Sequence, residues 1–244
     1  MQKYLLILKM NLVIDSGNSN TKIGYFDSGV LKEVRVIPNT EFSPDLVPEA
    51  EHIVLSSVSS IDFTWLSERK SLLRIDGAVA LPFTINYTTP ATLGSDRIAA
   101  VAGAYALYPG RDCLVINAGT CLTTDFISRD RIYEGGTISP GINMRFKALN
   151  AFTARLPIVE ERAPAPLAGK STNEAIRSGI LNGMTAEVGG MIDRYRAAYP
   201  DCDIIITGGD GFFFDRNLKA GIFVAPELIL IGLNFILEYN VFKA

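Results

Sequence analysis

Residues 14–26 read IDSGNSNTKIGYF and residues 116–128 read INAGTCLTTDFIS. Each is an apolar run, a polar turn carrying a glycine, and a second run of mixed apolar and polar residues, the pattern of two strands joined by a tight turn. In the first, Asn11–Ile14 leads through Asp15, Ser16, Gly17 and Asn18 into Thr21–Asp27. In the second, Asp112–Asn117 leads through Ala118, Gly119 and Thr120 into Leu122–Ser128. One device used twice predicts an internal duplication, two like domains facing each other across a cleft.

The flanking sequence fits that reading. Glu33–Ile37 and His52–Ser57 supply further strands to the first half, and Arg131–Glu134 and Asp203–Thr207 to the second. Between them, DRIAAVAGAYALY has apolar residues at helical spacing behind Ser95, expected as its N-cap, and stops at Pro109-Gly110. Proline and alanine crowd residues 163–168, a loop ahead of a helix that starts near Ser171. Glu227–Tyr239 reads as a terminal helix. Strands and helices in alternation argue for α/β architecture. The expected domains are residues 10–110 and 111–244, with the terminal helix able to pack back on the first.

Composition sets the remaining bounds. The chain has 244 residues, 48% apolar and 20% charged, a globular balance that suits one or two domains. A net charge of −3 without a block of lysine and arginine gives nothing to track a phosphate backbone, so nucleic acid is not an expected partner. Cys113, Cys121 and Cys202 lack CxxC spacing, which points to neither a disulfide framework nor a zinc knuckle and suits a reducing cytoplasm. The opening MQKYLLILKM is interrupted by Lys9 and lacks a small-residue cleavage site. It reads as an extension ahead of Met10 rather than a signal peptide. No stretch approaches the roughly 20 apolar residues that span a bilayer.

The two turns carry the chemistry. In Asp15–Lys22, Gly17 lets backbone N–H groups approach an anion, Asn18, Ser19 and Thr21 add donors, and Lys22 adds positive charge. Asp15, at the strand end, is placed to hold Mg²⁺, which takes one or two carboxylates together with phosphate oxygens. A single such turn is as well explained by an idle hairpin; the second, with Thr120, Thr123 and Thr124, favours a polyphosphate site. Gly169-Lys170-Ser171-Thr172 resembles the end of a Walker A loop, but position 164 is proline and no strand precedes it, so a P-loop is rejected. His52 stands apart from every motif and reads as structural. Cys121 reads as a small apolar filler. Phe212-Phe213-Phe214 reads as a core anchor before an adenine platform.

DSGNSNTK, NAGTCLTTD and the later TGGD resemble, in that order, the phosphate 1, phosphate 2 and adenosine motifs of the acetate and sugar kinase, Hsp70 and actin superfamily. Four further segments narrow the resemblance to type III pantothenate kinases: INYTTPATLGSDR (85–97), GGTISPGINMRFKALNAFTARLP (135–157), GKSTNEAIRSGILNG (169–183) and TGGDG (207–211). The resemblance runs from Met10 to Gly211. It implies two ribonuclease H-like domains, an ATP site at Asp15, Ser16, Gly17, Asn18, Ser19, Asn20, Thr21 and Lys22, and Thr120 as a second phosphate contact. Pantothenate contacts fall on Tyr87, Gly94, Ser95, Asp96, Arg97 and Thr172, and Asp96 becomes the catalytic base.

The bare residues agree with part of this. A carboxylate in the first turn of a helix is favoured in its charged form by the helix dipole and can accept a hydroxyl proton. Phosphoryl transfer rewards orientation more than basicity. The planar fork of Arg97 suits a carboxylate. By itself, SDR would read as a helix start with a surface ion pair. One position departs from the family. Its second phosphate motif begins with an aspartate that ligates a monovalent cation, K⁺ or NH₄⁺, whereas this chain has Asn117, a neutral and weaker ligand for a hard cation. Asp125, in the same motif, is an alternative holder of Mg²⁺ waters. The resemblance also implies a homodimer in which Thr172 reaches the partner's substrate. Two other readings stay open here: another small-molecule kinase of the superfamily, and a non-enzymatic transcription accessory factor of the same fold.

Overall fold

The computed structural model describes residues 10–69, 71–76, 79–159, 164–218 and 221–241. The extension at residues 1–9, and Ala163 at the start of the proline- and alanine-rich loop, lie outside them. The strands are β1 (Asn11–Ser16), β2 (Asn20–Asp27), β3 (Val30–Pro38), β4 (His52–Ser57), β5 (Leu72–Arg74), β6 (Thr84–Ile85), β7 (Cys113–Ala118), β8 (Cys121–Ile127), β9 (Ile132–Pro140), β10 (Asp203–Thr207) and β11 (Phe223–Val224). The helices are α1 (Ser95–Leu107), α2 (Ile142–Ala151), α3 (Thr172–Ala198), α4 (Gly211–Asn217) and α5 (Leu228–Val241). The fold is α/β with two sheets.

The chain divides into two compact units. The first runs up to Gly110 and adds Ile127–Gly135 and everything from Glu227 on; the second is Arg111–Phe126 with Gly136–Pro226. The terminal helix α5 thus belongs with the first unit.

The first unit's sheet is ordered β3-β2-β1-β4-β5. β1 and β2 form the antiparallel hairpin, β3 extends it, and β4 lies parallel to β1. One face buries Leu12, Ile14, Ile23, Tyr25, Ile53 and Leu55 against Val47, Phe63 and Leu66. The other meets α5: Asn11 donates to Asn234 Oδ1 at 3.0 Å, and a Cβ on Gly24 would lie 3.3 Å from Leu230. Helices α1 and α5 cross at Gly103 and Gly232. Neither glycine has room for a Cβ, because Leu228 O faces Gly103 and Ala99 O faces Gly232.

The second sheet is ordered β11-β10-β7-β8-β9-β6. In the second unit Leu114, Ile116, Ala118, Leu122, Phe126, Ile204 and Ile206 face the apolar side of α3, through Ile176, Ile180, Met184, Val188 and Ile192. By alternation, Asn117, Thr123, Asp125 and Thr207 point to the opposite face.

Three boundaries differ from the sequence reading. β3 begins at Val30, earlier than Glu33, because Ser28 and Gly29 turn the chain at φ 51° and 78° and a register shift at Tyr25/Phe26 restores pairing. β9 continues through Gly135 and Gly136 to Pro140, where Glu134 had been expected to end it. The N-cap of α1 is Gly94, with no side-chain capping bond, and Ser95 is the first helical residue. Its hydroxyl is engaged elsewhere, as described below.

Candidate functional site

The pairing register builds the first part of the site. Asp15 lies opposite Lys22 on β2 and opposite Ser56 on β4, so the three side chains form a row across adjacent strands, on the face met by α5. Ser56 Oγ and Ser95 Oγ are 2.9 Å apart, a hydrogen bond that brings the first turn of α1 to this row. Asp96 follows at once. Asp15 is buried, and its pKa is pushed up to about 7, first by loss of hydration and then by the Asp96 carboxylate; Lys22 and a hydrogen bond from Ser56 pull the other way. Lys22 Nζ also lies 3.9 Å from Glu227 Oε2, just ahead of α5.

Arg97 is 5% exposed and its guanidinium sits 5.9 Å from the centre of the Tyr87 ring. That ring lies against Gly135, whose φ of 97° suits glycine; an added Cβ would stand 3.5 Å from it. Asn86 donates to Glu134 at 2.7 Å beside them. Tyr87, Ser95, Asp96 and Arg97 therefore gather with Asp15 and Lys22 in one unit.

The phosphate-type turn sorts its eight residues into three groups. Asp15 and Lys22 join the row. Asn18, Ser19 and Asn20 are exposed, and Gly17 N donates to Asn20 O at 3.0 Å to close the turn. Ser16 and Thr21 are fully buried on the other face, their hydroxyls 2.9 Å apart. Thr21 spends its proton inside the fold, on Asn39 Oδ1 at 2.9 Å. Asn39, Ser56 and Ser59 were not singled out by sequence reasoning. Only strand register brings them to the turn, and no local motif marks them.

In the second unit the hairpin turn and the TGGD segment close on each other. Asn117 pairs with Thr207 across β7 and β10, and Asp210 N donates to Ala118 O at 2.9 Å. Gly208 has φ 90° and a Cβ there would lie 2.6 Å from Asn117 Oδ1. Gly141 N donates to Thr120 O at 3.1 Å, and Gly141 abuts the Gly119 and Thr120 carbonyls with no space for a side chain. Asp125 is fully buried and accepts from Thr123 at 3.3 Å.

Thr172 opens α3 and lines an open apolar groove of about 380 Å³ with Leu149, Leu156, Ile176 and Ile180. The GKST segment is a helix start: Ser171 Oγ accepts from Glu174 N at 3.3 Å and Glu174 Oε2 accepts from Lys170 N at 2.7 Å. His52 lies in β4, 4.0 Å from Glu51. Phe214 is buried and Phe212 is 55% exposed.

Among the described residues no group of three or more histidines, cysteines or acidic residues forms a metal cluster. Asp15, with Asp96 beside it, nonetheless fits Mg²⁺ bound together with phosphate. A buried carboxylate pushed toward protonation by a second is relieved by a cation, and Mg²⁺ asks only one or two carboxylates of a protein. No described helix is long and apolar enough to cross a membrane.

The model of a family described as type III pantothenate kinase matches residues 11–194. A type III pantothenate kinase of Christiangramia forsetii is 45% identical over 95% of this chain and 99% of its own length. One of Cytophaga hutchinsonii is 44% identical over 95% and 100%. Among solved structures, a Campylobacter jejuni chain assigned to the Baf family of transcriptional activators superposes with a TM-score of 0.62 at 24% identity, covering 94% of this chain and 98% of that one. A ROK hexokinase of Thermus thermophilus superposes at 0.51 and 13% identity, covering 93% and 98%. At such identities these two speak for the fold alone.

Proposed function

The chain belongs to the type III pantothenate kinase family, and from that premise we propose that it transfers the γ-phosphoryl group of ATP to the primary hydroxyl of pantothenate, the first step of coenzyme A synthesis. The observation that carries the reading is the row Lys22, Asp15, Ser56, tied through Ser95 to Asp96. It supports reading Lys22 as the cation on the phosphate side and Asp96 as the carboxylate on the alcohol side of one site.

In the proposed reaction, the amides of Asn18–Asn20 and the ammonium of Lys22 hold phosphate oxygens, with Thr120 a second contact. Arg97, resting on Tyr87, takes the pantothenate carboxylate through its planar fork and fixes the substrate's direction. Asp96 accepts the hydroxyl proton as the oxygen bonds to the γ-phosphorus; the bond to the β,γ-bridging oxygen breaks and its electrons leave with ADP. Mg²⁺, when held by Asp15, neutralises the charge on those oxygens. Asn117 stands where the family has a charged ligand, so we expect weak dependence on K⁺ or NH₄⁺. A homodimer, with Thr172 reaching the partner's substrate, is part of the proposal and is supported by the apolar groove at the start of α3. So is a cytoplasmic location.

The test is ADP release coupled to product analysis, with pantothenate and a panel of sugars as acceptors. Pantothenate-dependent ADP and phosphopantothenate are expected. Turnover with a sugar and none with pantothenate overturns the reading.

A further inference from the structure

The polar residues beneath the first turn form a continuous chain that the reaction itself does not use. Ser59 Oγ lies 2.7 Å from Ser16 Oγ, Ser16 Oγ lies 2.9 Å from Thr21 Oγ1, and Thr21 donates to Asn39 Oδ1 at 2.9 Å. Asn39 then turns back on the loop: its Nδ2 donates to Gly17 O at 2.8 Å, and its backbone N donates to Ser19 O at 3.0 Å. Ser16 O is fixed as well, accepting from Val58 N at 2.9 Å. One side chain therefore grips both ends of the turn, with its carbonyl on the outgoing strand and its amide on the glycine.

We propose that Asn39 is the positioning residue of the nucleotide site, holding the Gly17–Asn20 turn in the one conformation that aims the N–H groups beyond Gly17 at a polyphosphate.

The chemistry requires an amide at this position. An acceptor is needed for Thr21 and a donor for Gly17 O, and the amide of asparagine offers the two on separate atoms at the end of a short stem. With Gly17 O engaged by Asn39, the peptide from Gly17 to Asn18 is held at its carbonyl, so the N–H of Asn18 is directed outward. A turn with exposed residues 18–20 and a glycine at its start would otherwise sample several peptide orientations, and the ordering would have to accompany every binding event. The chain of hydroxyls lies on the face away from Asp15 and Lys22. Its loss is thus expected to act on nucleotide binding through the turn, leaving the acceptor site as it is.

The inference rests on reading this turn as the ATP phosphate site, and the experiment separates the two. The equilibrium Kd for ADP and the KM values for ATP and pantothenate are measured for wild type, Asn39→Ala and Asn39→Asp. Val47→Ala, a substitution in the core beneath the same sheet, serves as the stability control. Asn39→Ala is expected to raise the Kd for ADP and the KM for ATP about tenfold, leaving the KM for pantothenate within about twofold of wild type. Asn39→Asp keeps an acceptor for Thr21 but loses the donor to Gly17 O, and is expected to weaken ADP at least as much. Val47→Ala is expected to lower the melting temperature without changing the affinity for ADP. An unchanged ADP affinity in both Asn39 variants overturns the proposal. So does a loss that Val47→Ala reproduces, or the failure of both Asn39 variants to melt cooperatively, since each makes the role purely structural. Should wild type bind ADP yet not phosphorylate pantothenate, the acceptor assignment fails while the role of Asn39 is still decided.

Discussion

Asp15 is buried beside Asp96 and has a pKa near 7 in the ligand-free fold, well above the ordinary carboxylate value. Between those two values the folded state binds more protons than the unfolded one, so ligand-free stability falls as pH rises through that window. Asp15→Asn removes the effect. Its unfolding free energy is predicted to gain on wild type progressively from about pH 4 to pH 7, by up to a few kcal/mol, with the melting temperature rising in step, while turnover is lost. Parallel thermal melts across pH decide it; a difference independent of pH contradicts the burial argument. Asp96→Asn keeps shape and loses the base. A fall in kcat of at least about 100-fold is expected with little change in the KM for ATP. Equal falls in both affinities would point to misfolding instead. Both carboxylates were named from the sequence, Asp15 from its place at the end of a strand and Asp96 through the resemblance of its segment to a family motif. Asn39 was not, since its partners at Gly17, Ser19 and Thr21 are fixed by the β2–β3 register, which pairs Asn20 with Pro38.

The helices set where those residues stand. α1 reaches the Lys22–Asp15–Ser56 row only because it crosses α5 at glycine contact distance, with Gly103 and Gly232 admitting the neighbouring backbone. Gly232→Ala is predicted to cost about 1–3 kcal/mol in denaturant unfolding, since the opposing atom is a backbone carbonyl that cannot swing away. Because α1 carries Asp96, kcat should fall with it. A neutral result would mean that the helices slide freely past one another. Ser171→Ala, at the cap of α3, is expected to cost about 1 kcal/mol. Periodicity gave the existence of α1, α3 and α5. It misplaced the start of α1 because Ser95 resembles a cap residue, while the structure uses its hydroxyl to hold Ser56. β9 runs past the expected end at Glu134 because Gly135 and Gly136 let the strand pass close to Tyr87 and Thr124.

At the scale of the whole molecule, the repeated hairpin and the order of six motifs made family and fold readable in the sequence. The grouping of Ile127–Gly135 and α5 with the first unit depends on contacts between residues distant in the chain, and no local pattern in the sequence specifies it. The central claim is that this molecule phosphorylates pantothenate at the expense of ATP. Its most direct test is to incubate the purified chain with ATP, Mg²⁺ and pantothenate and to quantify both products by mass spectrometry. The account predicts ADP and phosphopantothenate in equal amounts, abolished in Asp96→Asn. ATP left intact beside unmodified pantothenate, in a protein that binds ADP, would contradict it.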